Sequence, residues 1–243
     1  MTDASTPRGQ RARDAQRIGH AELDSAYRDS SGKRLEDYPR PSVAVDTAVL
    51  TVPDEVDPQL AVLVVRREGR HRSGAWQLPG TFLHPGERLA DAALRALRDK
   101  VHVQGLHPRQ LHVFDDPARD DRGWVLSAAH VDVVPAHRLI PALEAGARLV
   151  PVDEVRRLAF DHDEIVRRAT QAVRHDYADQ PDPARLLPVP FTLLELQRLH
   201  EAVRGAPLQK DTFRRRMQDQ LVETGGVREG TVGKPAREWT HRT

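Results

Sequence analysis

The sequence predicts an α+β fold with two structured parts joined by a helix. Two runs rich in β-branched residues, Val43–Val52 and Leu60–Val65, have the composition of buried strands. An amphipathic pattern at Arg88–Val101 predicts a helix, and a second pattern at His162–Asp176 predicts another. The last 53 residues then read as two short helices followed by a strand, a glycine-rich loop and a strand.

These patterns divide the chain into four segments. Residues 1–40 are polar and charged, so we expect a flexible segment with at most a short helix near Ala21–Tyr27. Residues 41–157 contain the strands and the first helix. Residues 158–187 form a linker helix, and residues 188–243 form a separate C-terminal unit.

Composition excludes several classes of protein. The chain has no cysteine, which excludes disulfides and thiolate metal sites and fits a reducing cytoplasm. No apolar run reaches the ~18 residues of a membrane span, and no signal-peptide pattern is present, so we expect no membrane partner. The 37 basic and 36 acidic residues nearly balance, but residues 191–243 contain 10 basic and 7 acidic ones. This local excess favours a nucleic-acid partner.

Two neighbouring segments in the middle of the chain carry a recognisable motif. The loop L-P-G-T-F-L-H-P-G-E ends at Glu87, and the helix A-A-L-R-A-L-R-D-K-V-H follows it. Together they resemble the Nudix hydrolase motif, G-x5-E-x7-R-E-U-x-E-E-x-G, where U is apolar. Glu87, Arg95 and Leu97 match the loop glutamate, the arginine and the apolar position. The resemblance implies an α/β/α sandwich with a mixed sheet.

The metal-binding half of that motif is mostly missing. Nudix hydrolases use Mg²⁺ to cleave diphosphates, and Mg²⁺ requires oxygen ligands. The three helix carboxylates of the motif are Ala96, Asp99 and Lys100 here, and its two glycines are Thr81 and His102. A lysine at a cation site opposes metal binding. We therefore expect no metal, no catalytic residue and no cofactor, and a pocket that binds without cleaving.

The residues around this loop are candidates for binding a nucleotide diphosphate effector such as ADP-ribose. Arginines bind phosphates bidentately and aromatic rings stack on bases. Two alternatives stay open: the arginines after the second strand, which include Arg70, form a solvated loop, and the aromatic rings pack in the core. Glu87 with Arg95 is more simply a structural pair than a ligand site. The candidate effector-binding residues are Arg66, Arg67, Arg72, Trp76, Phe82 and Glu87.

The C-terminal unit has the pattern of a helix-turn-helix. In Phe191–Gly205, Thr192 and Glu195 form a capping box at the start of a helix, and Gly205-Ala206-Pro207 ends it. A second helix is predicted at Gln209–Leu221. The strand–loop–strand at Val222–Trp239 then makes a basic wing, so the unit is predicted to be a winged helix-turn-helix.

The arginines of the second helix cannot all enter one groove of DNA. Phe213, Met217 and Leu221 share the buried face, which turns Arg215 away from the core with Thr212 and Arg216 beside it. We predict that these three read base edges and that Arg214 contacts phosphate or an acidic neighbour. A solvated basic face is the alternative. The full set of predicted DNA-binding residues is Lys210, Thr212, Arg214, Arg215, Arg216, Arg228, Lys234 and Arg237.

The two halves together resemble the Nudix-related transcriptional regulators of NAD metabolism. The likeness covers residues 41–243, and it rests on F-T-L-L-E-L-Q-R-L-H-E-A-V-R-G, D-T-F-R-R-R-M, L-A-F-D-H-D-E-I-V and L-L-P-V-P-F-T-L. It implies a homodimer that represses genes of NAD synthesis or salvage from palindromic operators, senses ADP-ribose or a related metabolite, and is cytoplasmic and nucleoid-associated. Three alternatives stay open: an active Nudix-type ADP-ribose pyrophosphatase, a regulator of sugar catabolism, and a winged domain that docks proteins.

Overall fold

The computed structural model describes residues 28–53, 56–229 and 235–242. The short helix expected near Ala21–Tyr27 and the wing residue Lys234 lie outside this range. The chain divides into two units between Pro41 and Ser42. In the first unit, the described residues contain one turn of 3-10 helix at Leu35–Asp37. Within the described range, no helix has the length and hydropathy that a membrane crossing requires.

The second unit begins with a seven-stranded mixed sheet. Its central path is β3-β2-β1-β6-β5; β4 pairs with β1, and β7 with β2. The β1–β6 pair is parallel and the other pairs are antiparallel. The strands are β1 (Ser42–Thr51), β2 (Ala61–Arg66), β3 (Trp76–Gln77), β4 (Gly80–Phe82), β5 (Arg109–Phe114), β6 (Val125–Val133) and β7 (Arg148–Pro151).

Helices cover both faces of this sheet, which confirms the predicted sandwich. Alternate residues of β1 point to opposite faces. Val49 packs in one cluster with residues of α1 (Leu89–Val101) and α2 (Ile140–Glu144). Leu50 packs in a second cluster with residues of α3 (His162–Asp179). Short 3-10 turns at Ala136–Leu139 and Val152–Glu154 connect the elements.

The C-terminal residues form a winged helix. Helices α4 (Leu193–Arg204) and α5 (Lys210–Gln218) are followed by the wing strands β9 (Leu221–Arg228) and β10 (Ala236–His241). A third strand, β8 (Phe191–Thr192), completes the order β8-β10-β9. The predicted capping box is present, since Thr192 Oγ1 accepts from Glu195 N at 3.2 Å and Thr192 N donates to Glu195 Oε2 at 2.7 Å. The buried core of this part is Phe191, Leu196, Phe213, Met217, Leu221 and Trp239.

The winged helix packs against the sheet and α3. Leu199 and Val203 of α4 belong to the same apolar cluster as the sheet and α3. The backbone amide of Leu60 donates to Ala202 O at 3.3 Å, and Arg174 Nε donates to Val203 O at 3.0 Å. Apolar contacts and hydrogen bonds therefore join the two parts, and residues from Ser42 onward form one compact unit.

Candidate functional site: a polar cavity and a recognition helix

A polar cavity of about 240 Å³ lies where the Nudix-like loop, α1 and the start of α3 meet. Four of its lining residues are cations, and two are aromatic. We call this space the polar cavity. Its lining includes Asp46, Arg67, Gln77, Thr81, Phe82, Lys100, Arg119, Asp120, Arg122, Phe160 and His162.

A buried carboxylate, Asp46, forms the floor of the polar cavity. Ser127 Oγ donates to its Oδ2 at 2.6 Å, and Arg119 Nη2 lies 3.8 Å from the same oxygen. His162 Nε2 lies 3.5 Å from Oδ1. Burial alone would raise the pKa of Asp46, but His162, Ser127 and Arg119 outweigh it and hold this pKa below its usual value. The floor is therefore a fixed negative charge.

A hydrogen bond to Nδ1 of His162 fixes the orientation of its ring. The backbone amide of Leu78 donates to His162 Nδ1 at 2.9 Å, so Nδ1 carries no proton. In a neutral ring the proton then lies on Nε2, which faces Asp46. His162 is the first residue of α3, so this contact ties the cavity floor to the linker helix.

Gly80 is required by the close approach of the loop to Asp46. A Cβ atom at position 80 would lie 1.9 Å from Asp46 Oδ1 and 2.9 Å from Val45 O. Any side chain here must displace the buried carboxylate or the strand. The absence of a side chain at Gly80 thus lets the loop lie directly against Asp46.

The cations of the polar cavity fall into two classes. Arg119 forms two hydrogen bonds to Asp161, at 2.9 and 2.6 Å, and Arg122 forms two to Asp120, also at 2.9 and 2.6 Å. Arg67 donates only to neutral acceptors, Gln77 Oε1 at 2.9 Å and His71 O at 2.7 Å. Lys100 likewise donates to a carbonyl, that of Gly80.

An aromatic ring, Phe160, lies among the guanidinium groups. The Cζ atoms of Arg67 and Arg122 are each 5.0 Å from its centroid, and that of Arg72 is 5.1 Å away. Such cation–π contacts orient planar cations around the ring. This cluster therefore combines an aromatic ring, on which a base can stack, with guanidinium groups that can donate hydrogen bonds to phosphate.

The structure places some of the predicted effector-binding residues at the polar cavity and others outside it. Arg67 and Phe82 line the polar cavity, and Arg72 reaches its rim through Phe160. Arg66 instead stacks on Trp76, 4.2 Å from the ring centroid, and both lie outside the lining. Consecutive side chains of an extended chain point to opposite sides. Arg67 therefore points into the cavity, and Arg66 points away from it.

Glu87 and Arg95 form a bidentate ion pair beside the cavity. Arg95 Nε and Nη2 donate to the two Glu87 oxygens at 2.7 and 2.8 Å. Arg95 also donates to Thr81 Oγ1 at 3.2 Å and to Phe82 O at 2.9 Å. The pair therefore fixes the loop that carries Thr81 and Phe82, and Glu87 is not among the lining residues.

The remaining helix carboxylate of the motif does not face the cavity. Asp99 accepts from Arg98 Nε at 2.8 Å and is absent from the lining, while Ala96 is buried and has no oxygen to offer. The carboxylates that line the polar cavity, Asp46, Glu68 and Asp120, thus come from outside the motif helix, and at the motif's last glutamate position the cavity presents the ammonium group of Lys100.

A second group of possible metal ligands lies nearby. His71, Asp120 and Asp121 bring ligand atoms within 4.8 Å of one another. Both carboxylates already bind arginines, Asp120 with Arg122 at 2.6 Å and Asp121 with Arg72 at 3.3 Å. Competing guanidinium charges disfavour a cation at this position.

Sequence reasoning missed several lining residues. Asp46 had a signal, since it is a lone carboxylate inside an apolar strand. Arg119, Asp120 and Arg122 belong to the charged run D-D-P-A-R-D-D-R, which gave no motif. Phe160 and His162 lie in L-A-F-D-H-D-E-I-V and were noted only for the family resemblance.

The arginines of α5 differ in what they contact. Phe213 and Met217 are buried as predicted, and Lys210, Thr212, Arg214 and Arg215 are exposed. Among residues that the structure describes, neither Arg214 nor Arg215 has a carboxylate at ion-pair distance. Arg216 forms an ion pair with Asp179 at the end of α3, and its side chain is half exposed, so its role as a base reader stays a prediction.

The wing arginines are also engaged in this structure. Arg228 Nη1 donates to Glu195 Oε1 at 2.6 Å and Nη2 donates to Pro190 O at 2.8 Å. Arg237 Nη1 donates to Glu223 Oε2 at 3.0 Å. Both side chains are exposed, so their DNA-binding role stays a prediction.

Helix α3 connects the polar cavity to the winged helix. Its first residue, His162, contacts Asp46, and its last residue, Asp179, contacts Arg216 and accepts from Gln220 Nε2 at its carbonyl at 2.8 Å. A cavity of about 440 Å³ lies between α3, α4 and α5, with Thr212 and Arg216 in its lining. One rigid element thus touches both candidate sites.

Known families match both parts of the chain. The NUDIX domain matches residues 43–170, and the NrtR DNA-binding winged helix domain matches residues 183–240. An "ADPR responsive transcriptional repressor NtrR" of Acinetobacter baylyi is 30% identical over 206 residues, which cover 82% of this chain and 80% of the relative. An "ADP-ribose pyrophosphatase" of Methanocaldococcus jannaschii is 31% identical over 144 residues, 56% of this chain and 76% of the relative.

Solved structures of Shewanella oneidensis NrtR are also similar. The structure complexed with a 27mer DNA has a TM-score of 0.69 at 30% identity and covers 82% of this chain and 93% of that one. The structure of its NUDIX domain complexed with ADP ribose has a TM-score of 0.51 at 25% identity and covers 63% of this chain and 97% of that one. The sandwich, the winged helix and these relatives agree, and the chain belongs to the NrtR family of Nudix-related transcriptional regulators.

Proposed function

We propose that this protein is a transcriptional repressor of genes of NAD synthesis or salvage that responds to ADP-ribose or a related nucleotide diphosphate. One observation supports this most strongly: α3 begins at the cation-lined polar cavity and ends at the helix that carries Arg214 and Arg215. A ligand that displaces the start of α3 thereby acts on the DNA-binding helix.

The polar cavity suits a nucleotide diphosphate. Arg67 and Lys100 supply positive charge that no carboxylate neutralises at ion-pair distance within the described residues. Phe160 and Phe82 supply aromatic faces for a base or ribose. The ADP-ribose complex of the Shewanella NUDIX domain and the ADP-ribose response of the Acinetobacter relative support this choice of ligand.

For the DNA contact, we assign base reading to Arg215 and phosphate binding to Arg214. Both are exposed on α5; Arg215 lies opposite the buried Phe213 and Met217, and Arg214 lies on the flank between the two faces. Two half-sites about 34–36 Å apart require two such helices in a fixed relation, so the protein acts as a homodimer on a palindromic operator. It is then cytoplasmic and associates with the nucleoid when bound.

The test is a titration of the full chain on its own upstream DNA, followed by fluorescence polarisation. ADP-ribose, NAD and sugar phosphates are added separately at fixed salt. We expect specific binding that ADP-ribose changes at least about tenfold. A response to sugar phosphates alone would favour the regulator of sugar catabolism. Arg215→Ala should weaken operator binding more than nonspecific binding, and equal losses would refute the base-reading role.

Salt dependence separates DNA binding from a protein-docking winged domain. Neutralising several phosphates makes the logarithm of affinity fall linearly with the logarithm of salt concentration. A duplex affinity that is undetectable at low salt would refute the repressor.

We further propose that the protein does not hydrolyse ADP-ribose. Ala96, the outward Asp99 and Lys100 leave no set of oxygen ligands for Mg²⁺ at the position of the motif. The pyrophosphatase of Methanocaldococcus makes the assay necessary. Release of AMP from ADP-ribose with Mg²⁺, above the rate with EDTA, would contradict this part of the proposal.

A further inference from the structure

We propose that the ammonium group of Lys100 takes the place of the divalent metal ion in this Nudix fold, so that the effector diphosphate binds without metal. This inference rests on the proposed function, because it concerns how the same cavity holds its nucleotide. It concerns one residue, Lys100, at the end of α1.

The position of Lys100 is the first support. It occupies the place of the last helix glutamate of the Nudix motif, counted from Glu87 and Arg95. Although Lys100 is exposed as a whole residue, its ammonium group turns inward, lines the polar cavity and donates a hydrogen bond to Gly80 O. The positive charge therefore lies where a Nudix enzyme holds its cation.

The charge pattern of the cavity is the second support. Arg119 and Arg122 are each neutralised by a carboxylate, Asp161 and Asp120 respectively. Arg67 and Lys100 have no carboxylate at ion-pair distance among the residues that the structure describes. Burial is the main cause that lowers the pKa of both groups, and neighbouring cations add to it, although the more distant carboxylates, such as Asp46, partly offset the effect. A bound dianion would relieve this repulsion and favour the ammonium form of Lys100.

The available oxygen atoms do not fit a metal ion. Ala96 has no ligand atom and Asp99 binds Arg98. Of the carboxylates that line the cavity, Asp120 binds Arg122, and Asp46 already accepts from Ser127 and faces His162 and Arg119. Among the described residues this leaves the exposed Glu68 as the lining carboxylate without a cation at ion-pair distance, and one carboxylate is not an octahedral ligand set. Mg²⁺ requires near-octahedral oxygen ligands, and an ammonium group beside it adds repulsion.

A purely local role for Lys100 is the competing explanation. Basic side chains are common in the last turn of helices, where they interact with the helix dipole. Loss of such a contact lowers the melting temperature and leaves ligand affinity unchanged. The two roles therefore differ in which measurement responds.

The experiment is isothermal titration calorimetry of the full chain with ADP-ribose, in EDTA and in Mg²⁺. The wild type is expected to bind with the same affinity in both buffers. Binding only with Mg²⁺ would overturn the inference and leave the proposed function standing. Absence of binding in both buffers would overturn both.

Variants then locate the effect. Lys100→Ala is expected to weaken binding roughly ten- to hundredfold, the value of a hydrogen bond to a charged group, and Lys100→Arg to retain most of it. The matched control is Arg98→Ala, which removes a cation of the same helix that lies outside the cavity. Thermal melts show whether each variant folds.

A charge reversal makes the test sharper. Lys100→Glu is expected to abolish binding in EDTA and to recover part of it with Mg²⁺ or Mn²⁺, because it restores a motif carboxylate. If Lys100→Ala binds ADP-ribose as tightly as the wild type while Arg98→Ala does not differ, Lys100 has only the local role and the inference is wrong.

Discussion

The ion pair between Arg216 and Asp179 predicts that a mutation on the linker helix strengthens DNA binding. Asp179→Ala frees a cation of the helix that we assign to DNA, and the backbone contact of Gln220 to residue 179 remains. The side chains of Arg216 and Asp179 are 53% and 74% exposed. An exposed pair of this kind contributes ~0.2–1 kcal/mol.

This value limits the size of the effect. For one protomer the gain in affinity is a factor of roughly 1.4 to 5, and for two protomers on one operator it is roughly 2 to 30. If the released Arg216 contacts a phosphate, the salt dependence also becomes steeper by about 0.9 per protomer. Fluorescence polarisation over a series of salt concentrations measures both quantities.

Two controls separate the freed arginine from a change in net charge. Asp176→Ala removes the same charge one helical turn earlier on α3, but Asp176 pairs with Arg109 at 2.6 Å and not with Arg216. The double variant Asp179→Ala with Arg216→Ala should show no gain over Arg216→Ala alone. A gain that persists without Arg216 would refute the reasoning.

Three further predictions concern the cavity and the core. Gly80→Ala should lower the free energy of unfolding by about 1–3 kcal/mol in a urea titration, because its Cβ would lie 1.9 Å from Asp46 Oδ1; an unchanged midpoint would contradict this. Phe160→Ala should weaken ADP-ribose binding about tenfold by calorimetry, whereas Trp76→Phe, outside the cavity lining, should not; equal effects would refute the assignment. Burial lowers the pKa of His200 from 6.5 to about 4, so the unfolded chain is protonated first as pH falls. Between pH 6.5 and 4 this costs roughly 3 kcal/mol of stability, which His200→Leu should abolish; chemical denaturation across this range shows whether the slope persists.

Much of the fold could be predicted because its signals are local. The β-branched runs became β1 and β2, and the capping box marked the start of α4 correctly. The edge strand β5 was missed, since most of its residues face solvent and lack an apolar pattern. The strand β8, of two residues, is too short to show a periodicity.

The candidate site was harder to predict because its contacts are remote in sequence. Ser127 lies 81 residues from Asp46, and the Leu78 amide lies 84 residues from His162. No local pattern indicates such pairings. Residue alternation also left open which of Arg66 and Arg67 faces the cavity, and the helical wheel of α5 could not reveal Asp179, which belongs to another helix.

The apolar cluster shared by the sheet, α3 and α4 limits how freely the two halves of such a protein can be exchanged. A chimera that grafts another winged helix after residue 187 would set foreign side chains in place of Leu199 and Val203, against a surface shaped by this sheet. A successful graft must carry α3 along and match the residues beneath it. New combinations of sensor and operator specificity therefore arise more easily by point substitutions on exposed faces of α5 than by recombination of whole modules.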